Sequence, residues 1–232
     1  MGVELMEKLY IIHGWTYKPE PWEDVIKELK AKYKIEAKLL RVPGLGTQSN
    51  QVFTMDDYVE WAATQIPKGS IALGHSNGGR ILLNMLRKKG SDYLSGLILF
   101  DAAGIYEPSL KNMIMRKISK VFSPLKKSKL ARKAVHKALR VHDYNDAPDN
   151  MKKTLTNMLD SDKELDISGI TTKTMIIWGS DDRMTPPRQG RKMHELLRNS
   201  KLTIKDGWRH SHYLQSTKET ADEIAIQYKE LK

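Results

Sequence analysis

The stretch Ser70-Ile71-Ala72-Leu73-Gly74-His75-Ser76-Asn77-Gly78-Gly79-Arg80-Ile81-Leu82-Leu83-Asn84-Met85-Leu86 decides how the chain is read. A short apolar run leads into Gly74-His75-Ser76-Asn77-Gly78, and a helix-prone segment follows, so a strand-turn-helix unit with a G-x-S-x-G turn is predicted. Such a turn forces its central residue into a strained backbone conformation. Glycines two positions before and after it remove the side chains that would collide. A serine hydroxyl held at the top of a sheet is the expected result. The plainer alternative is a glycine-rich β-α turn carrying an incidental serine, and what separates the two is whether chemical partners follow.

They follow in a definite order. Thr174-Met175-Ile176-Ile177-Trp178 reads as a buried strand, and the loop Gly179-Ser180-Asp181-Asp182-Arg183-Met184-Thr185-Pro186 places carboxylates beyond its carboxyl end. Lys201-Leu202-Thr203-Ile204-Lys205 reads as another strand, and its exit loop, Asp206 to His212, carries His210 and His212. A serine, an aspartate and a histidine thus occur in the chain order Ser, Asp, His, which distinguishes one triad fold from the two other well-known ones.

The chain resembles the α/β-hydrolases, in particular the small prokaryotic esterase-like members, over nearly its whole length. Five segments carry the likeness: Leu9-Tyr10-Ile11-Ile12-His13-Gly14-Trp15, Val42-Pro43-Gly44-Leu45-Gly46, the turn Gly74 to Gly79, Trp178-Gly179-x-x-Asp182-x-x-Thr185-Pro186, and His210-Ser211-x-x-Leu214. The resemblance implies a mostly parallel sheet flanked by helices, with an inserted helical cap. It implies Ser76 as nucleophile, His210 as base and Asp182 as the acid behind it. It also maps two oxyanion donors onto the chain, the backbone N–H groups of Trp15 and Asn77. A serine hydroxyl is a poor nucleophile until a base takes its proton, and an imidazole titrating near 6.5 suits that task close to neutrality. The carboxylate fixes the imidazole tautomer and stabilises the imidazolium. The implied activity is hydrolysis of carboxylic esters of small to medium acyl chains through an acyl-serine intermediate. A lactonase or a carrier-protein-linked ester hydrolase would need the same three residues, and an inert hydrolase fold used as a binding module would need none of them.

Each position has rival residues. Asp181 is read as a turn residue whose side chain bonds backbone amides. Asp101, which ends Leu97-Ile98-Leu99-Phe100, is the more serious rival acid, since some members of the family take their acid from the strand after the serine turn. His212 is read as solvated or at a pocket edge, and the spacing from His210 to an S-x-x-E capping box at Ser216 to Glu219 favours His210 as the base. His13 and His75 lie inside turn motifs and read as hydrogen-bonded structural histidines. His136 and His142 carry no ligand pattern, no metal-site spacing is present, and no cofactor is implied. Arg41, Arg209 and Gln215 depart from residues frequent in the family and leave the substrate class open rather than the mechanism.

Composition fits one domain. A chain of 232 residues supports a substantial α/β core, and six short apolar strand candidates alternate with amphipathic stretches. With no cysteine, no leader-like segment and no apolar run near the roughly 20 residues needed to span a bilayer, a cytoplasmic protein without a transmembrane segment is expected. The core is assigned to 1–104 and 166–232, and the cap to 105–165. There the periodicity becomes helical, with Leu110, Met113, Ile114, Ile118, Val121 and Phe122 on one stripe, a break at Ser123-Pro124, and a further helix over Asn150 to Leu159. Met113, Met115, Met151 and Met158 are candidates for an adaptable pocket lining, or for core packing. Between 105 and 140 there are eleven Lys and Arg residues, Lys126, Lys127, Lys129 and Lys133 among them, against Glu107 alone, which is nearly the whole formal net charge of +11. Such a face suits an anionic substrate, an acidic carrier protein or a lipid surface. The plainer reading, which we adopt, is a solvated cap surface. Nucleic acid is not expected, because stacking aromatics are nearly absent there.

Overall fold

The computed structural model describes residues 8–108 and 147–232. Six strands form one parallel sheet: β1 (Leu9–Ile12), β2 (Ala37–Leu40), β3 (Ser70–His75), β4 (Leu94–Phe100), β5 (Thr174–Gly179) and β6 (Ser200–Lys205), in the order β2-β1-β3-β4-β5-β6. The central strands are apolar on both faces, as a sheet covered on both sides requires. In β4, Leu97 and Leu99 enter one core while Ile98 and Phe100 enter the other, and all four have no exposed surface.

Two layers of helix cover those faces. One is built by α1 (Pro21–Tyr33), through Trp22, Val25 and Leu29, and by α6 (Thr217–Leu231), through Ala221, Ile224 and Ala225. The other is built by α2 (Met55–Gln65), α3 (Asn77–Lys89), α4 (Asp149–Ser161) and α5 (Pro187–Leu196), with Tyr58, Leu82, Met158 and Met193 among their buried residues.

Two of the described helices, α2 and α6, start at a side-chain cap. Thr54 caps α2 in a reciprocal box, its hydroxyl accepting the Asp57 amide at 3.2 Å while Asp57 accepts the Thr54 amide at 2.7 Å. The box expected at Ser216 forms only by half. Ser216 accepts the Glu219 amide at 3.4 Å, but the Glu219 carboxylate turns to Nε2 of His212 at 2.8 Å.

Of the insertion expected over 105–165, residues 109–146 lie outside the described residues. The Ser123-Pro124 break, the methionines 113 and 115, His136, His142 and the basic residues from Lys111 to Arg140 all fall there. What is described is α4, close to the helix read from Asn150 to Leu159, and there Met151 and Met158 are core residues with no exposure. Among the described residues no helix is long and apolar enough to cross a membrane.

Candidate active site

The carboxyl ends of β3, β5 and β6 converge on one point. Ser76 follows β3 with φ +52° and ψ −120°, a strained geometry for a residue with a side chain. Close packing enforces it. A Cβ on Gly74 would lie 2.5 Å from the Gly79 backbone, and one on Gly78 would lie 2.1 Å from the Ile12 carbonyl oxygen. The Ser76 carbonyl ties the turn down, accepting from the amides of Gly79 at 3.0 Å and Ala103 at 2.9 Å. Asn77 is the first residue of α3, so its amide is one of the N–H groups that a helix start leaves without an intrahelical acceptor.

Three of the residues singled out in the sequence are in hydrogen-bond contact. Nε2 of His210 lies 3.0 Å from the Ser76 hydroxyl oxygen, and Nδ1 lies 2.8 Å from Oδ2 of Asp182. The Asp182 carboxylate is buried and saturated with donors: the amides of Met184 (2.7 Å) and Thr185 (3.0 Å) reach Oδ1, and the Thr185 hydroxyl reaches Oδ2 at 2.7 Å. Burial would raise its carboxyl, but the neighbouring His210 and these donors outweigh burial and hold it below the usual carboxylate range. Trp15 follows His13-Gly14 beyond β1. Gly14 is in close contact with this centre, since a Cβ there would sit 2.9 Å from both the Ser76 Cβ and Nδ1 of His75.

The rival residues make other bonds, and Asp101 among them lies beside the site. Asp181 is exposed and its amide donates to the Trp208 carbonyl at 2.9 Å, so the amide-bonding turn role expected of Asp181 is performed by Asp182. His212 is not solvated. It is 7% exposed, stacks on Trp208 at 3.9 Å between ring centres, and bonds Glu219. Asp101, at the end of β4, is wholly buried, and its Oδ1 accepts the Gly179 amide at 2.8 Å. Burial, and then the charge of Asp182, push its carboxyl well above the usual range.

Two histidines read as structural make specific bonds. Nδ1 of His13 lies 2.8 Å from the Gly14 carbonyl oxygen, so it carries the proton, and Nε2 accepts the Val42 amide at 3.1 Å. Burial pushes His13 down to about 4. His75 donates from Nε2 to the His210 carbonyl at 2.8 Å, fixing the loop that presents the His210 ring. Burial, then the charge of His210, take it down to about 3.

Several residues with a part in the site were not singled out in the sequence. Thr185 touches Asp182, the Asp101 carbonyl (2.9 Å) and Nδ1 of His210 (3.1 Å); it was visible only as a letter of the acid-loop motif. Arg80, one turn into α3, donates from Nε and Nη2 to the two oxygens of Asp162 at 2.7 and 2.8 Å, and from Nη1 to the Asn77 side chain. This ion pair is buried and bidentate, and no local sequence signal announces it. Among the described residues one group has metal-like proximity: donor atoms of His75, Asp101 and His210 lie within 4.8 Å of one another. Both ring nitrogens of His210 and Nε2 of His75 are already committed to hydrogen bonds, so this donor set is poorly suited to an ion.

Known proteins share this architecture. The chain is 24% identical to a pimeloyl-[acyl-carrier protein] methyl ester esterase of Neisseria meningitidis, over 91% of this chain and 89% of that protein. It is 25% identical to an uncharacterized hydrolase of Bacillus subtilis, over 84% of this chain and 80% of that protein. A thermophilic esterase of Thermogutta terrifontis has the same fold, with a TM-score of 0.70 at 18% identity, covering 97% of this chain and 90% of that one. The profile of the serine aminopeptidase S33 hydrolases matches residues 52–216, most of the chain, and with its parallel sheet and serine turn the chain belongs to this family of α/β-hydrolases.

Proposed function

We propose that the chain hydrolyses carboxylic esters of small to medium acyl chains through an acyl-serine intermediate, with Ser76 as nucleophile, His210 as base and Asp182 as acid. The observation that carries the reading is the continuous path from the strained Ser76 hydroxyl through both nitrogens of His210 to the donor-saturated Asp182. As the Ser76 oxygen attacks the ester carbonyl carbon, Nε2 of His210 takes the hydroxyl proton, and Asp182 stabilises the imidazolium. The oxyanion is stabilised by the amides of Asn77 and Trp15, each such donor worth on the order of 3 kcal/mol. His210 then protonates the departing alkoxide and the alcohol leaves. Water enters, gives its proton to His210 and attacks the acyl carbon, and collapse returns the proton to Ser76 with release of the acid.

The test is covalent labelling. A fluorophosphonate should add one adduct mass to the wild type and none to Ser76→Ala, and that variant should lose several orders of magnitude of ester turnover while remaining folded. Ester turnover by Ser76→Ala comparable to wild type would refute the mechanism.

A finer reading concerns the substrate's carrier. The relatives named for an acyl-carrier-protein ester, together with the net charge of +11, favour an ester borne on an acidic protein over a free lactone. We take 105–165 as the cap that would meet it, over a core of 1–104 and 166–232. Turnover of an anionic or carrier-linked ester should then fall between low and physiological salt, as the Debye length shrinks from about 30 to about 8 Å, while that of a neutral short ester barely changes. An equal salt response for both substrates would leave the charge as solvated surface.

A further inference from the structure

Asp101 stands beside the proposed triad without a place in it. Its carboxyl is fully buried, and its backbone is held at φ +44°, in the left-handed region. That conformation is fixed at both ends: the Asp101 amide donates to the Ile177 carbonyl at 2.9 Å, and the Asp101 carbonyl accepts the Thr185 hydroxyl at 2.9 Å. Oδ1 accepts the Gly179 amide at 2.8 Å. Oδ2 is buried and receives no donor from any of the described residues.

The groups that face it come from three elements: Asp182 and Thr185 on the loop after β5, His210 on the loop after β6, and His75 at the end of β3. None has a proton to offer Oδ2. The Nδ1 proton of His210 goes to Asp182, the Nε2 proton of His75 goes to the His210 carbonyl, and Thr185 has a single hydroxyl proton directed at Asp182 or at the Asp101 carbonyl. Two ionised carboxylates cannot bond to each other, and an unpaired buried charge is strongly unfavourable. One proton placed between Asp101 and Asp182 resolves both difficulties. Asp182 holds the charge, because amides, a hydroxyl and an imidazole converge on it. A proton shared between the two would therefore reside on Asp101.

We propose that Asp101 is a positioning residue for the reaction: its neutral carboxylic acid donates a hydrogen bond to the Asp182 carboxylate and so fixes the orientation in which Asp182 holds His210. This rests on the assignment of Asp182 as the acid. The burial-driven upward displacement of the Asp101 carboxyl agrees with it.

The experiment pairs infrared difference spectroscopy with kinetics on the full-length protein. At neutral pH the wild type should show the carbonyl stretch of a protonated carboxylic acid that vanishes in Asp101→Asn. Asparagine tolerates positive φ and its amide replaces the donor, so that variant should keep kcat/KM within about threefold of wild type. Asp101→Ala, which removes the donor to a charged acceptor, should lose about tenfold or more in kcat with little change in KM. No protonated-acid band attributable to Asp101, a hundredfold loss in Asp101→Asn, or wild-type kinetics in Asp101→Ala would each overturn the proposal. Failure of the parent reading looks different: Asp182→Asn would then remain active while Asp101→Asn would not.

Discussion

Asp162→Ala would strand a guanidinium in the core. The Arg80 side chain is 4% exposed and that of Asp162 is 6% exposed, and the pair shares two bonds of 2.7 and 2.8 Å. Truncating the acid removes both bonds and leaves, among the described residues, the Asn77 side chain as the one hydrogen-bond partner of the guanidinium. Breaking a buried pair in this way destabilises by about 3–5 kcal/mol, a large share of the roughly 5–15 kcal/mol that holds a domain of this kind together. Replacing both partners, as in Arg80→Met with Asp162→Leu, removes the charge and its desolvation together and should stay within about 2 kcal/mol of wild type. Urea unfolding followed by the fluorescence of the buried Trp22 and Trp178 compares Asp162→Ala with wild type and measures the four corners of a cycle, wild type, Arg80→Met, Asp162→Leu and the double variant. A loss below about 1 kcal/mol for Asp162→Ala, or additivity across the cycle, would refute the view that the pair acts as one buried unit.

Two further predictions concern the turn and its histidines. Gly74→Ala should destabilise by several kcal/mol or prevent folding, because its Cβ meets Gly79 backbone atoms at 2.5 Å, whereas Gly169→Ala, with nothing within 4 Å, should unfold in urea like wild type. For pH, the folded values of His13 (about 4) and His75 (about 3) lie below the unfolded value of 6.5, so in that interval the unfolded chain binds the protons and acid favours unfolding. Their contribution is intact above about 6.5 and erodes as pH falls, by about 2 kcal/mol each between pH 7.5 and 5. Asp101 acts in the opposite sense, since its raised folded value favours the protonated fold, and the measurement therefore belongs in an Asp101→Asn background. Stability that stays flat or rises from pH 7.5 to 5 in that variant would contradict the buried neutral state of both rings.

What was legible in the sequence was whatever local chemistry dictates. β5 and β6 lie within a residue of the runs read as strands, because apolar residues bounded by polar loops have few other uses. Ser76, Asp182 and His210 stand out because each sits in a turn motif at a strand end. Contacts between distant segments left no such trace. Arg80 and Asp162 are 82 residues apart, and each looks like an ordinary surface charge, one in a helix and one just past the end of another. His212 reads from the sequence as solvated or at a pocket edge, and only the fold brings the Trp208 face and Glu219 to it. At Asp181 and Asp182 two identical letters stand side by side, and the direction of the chain at the end of β5 decides which one points inward.

The wide separation of the site's parts along the chain has a consequence for synthesis. Ser76 and His210 are 134 residues apart, and the His210 loop is fastened to the serine turn through His75. At about 5–20 residues per second on the ribosome, the serine turn emerges roughly 7 to 27 seconds before His210. On the mechanism proposed above, a nascent chain in that interval carries the Ser76 hydroxyl without the His210 ring that would deprotonate it, so ester turnover would begin only once β6 and its exit loop have docked.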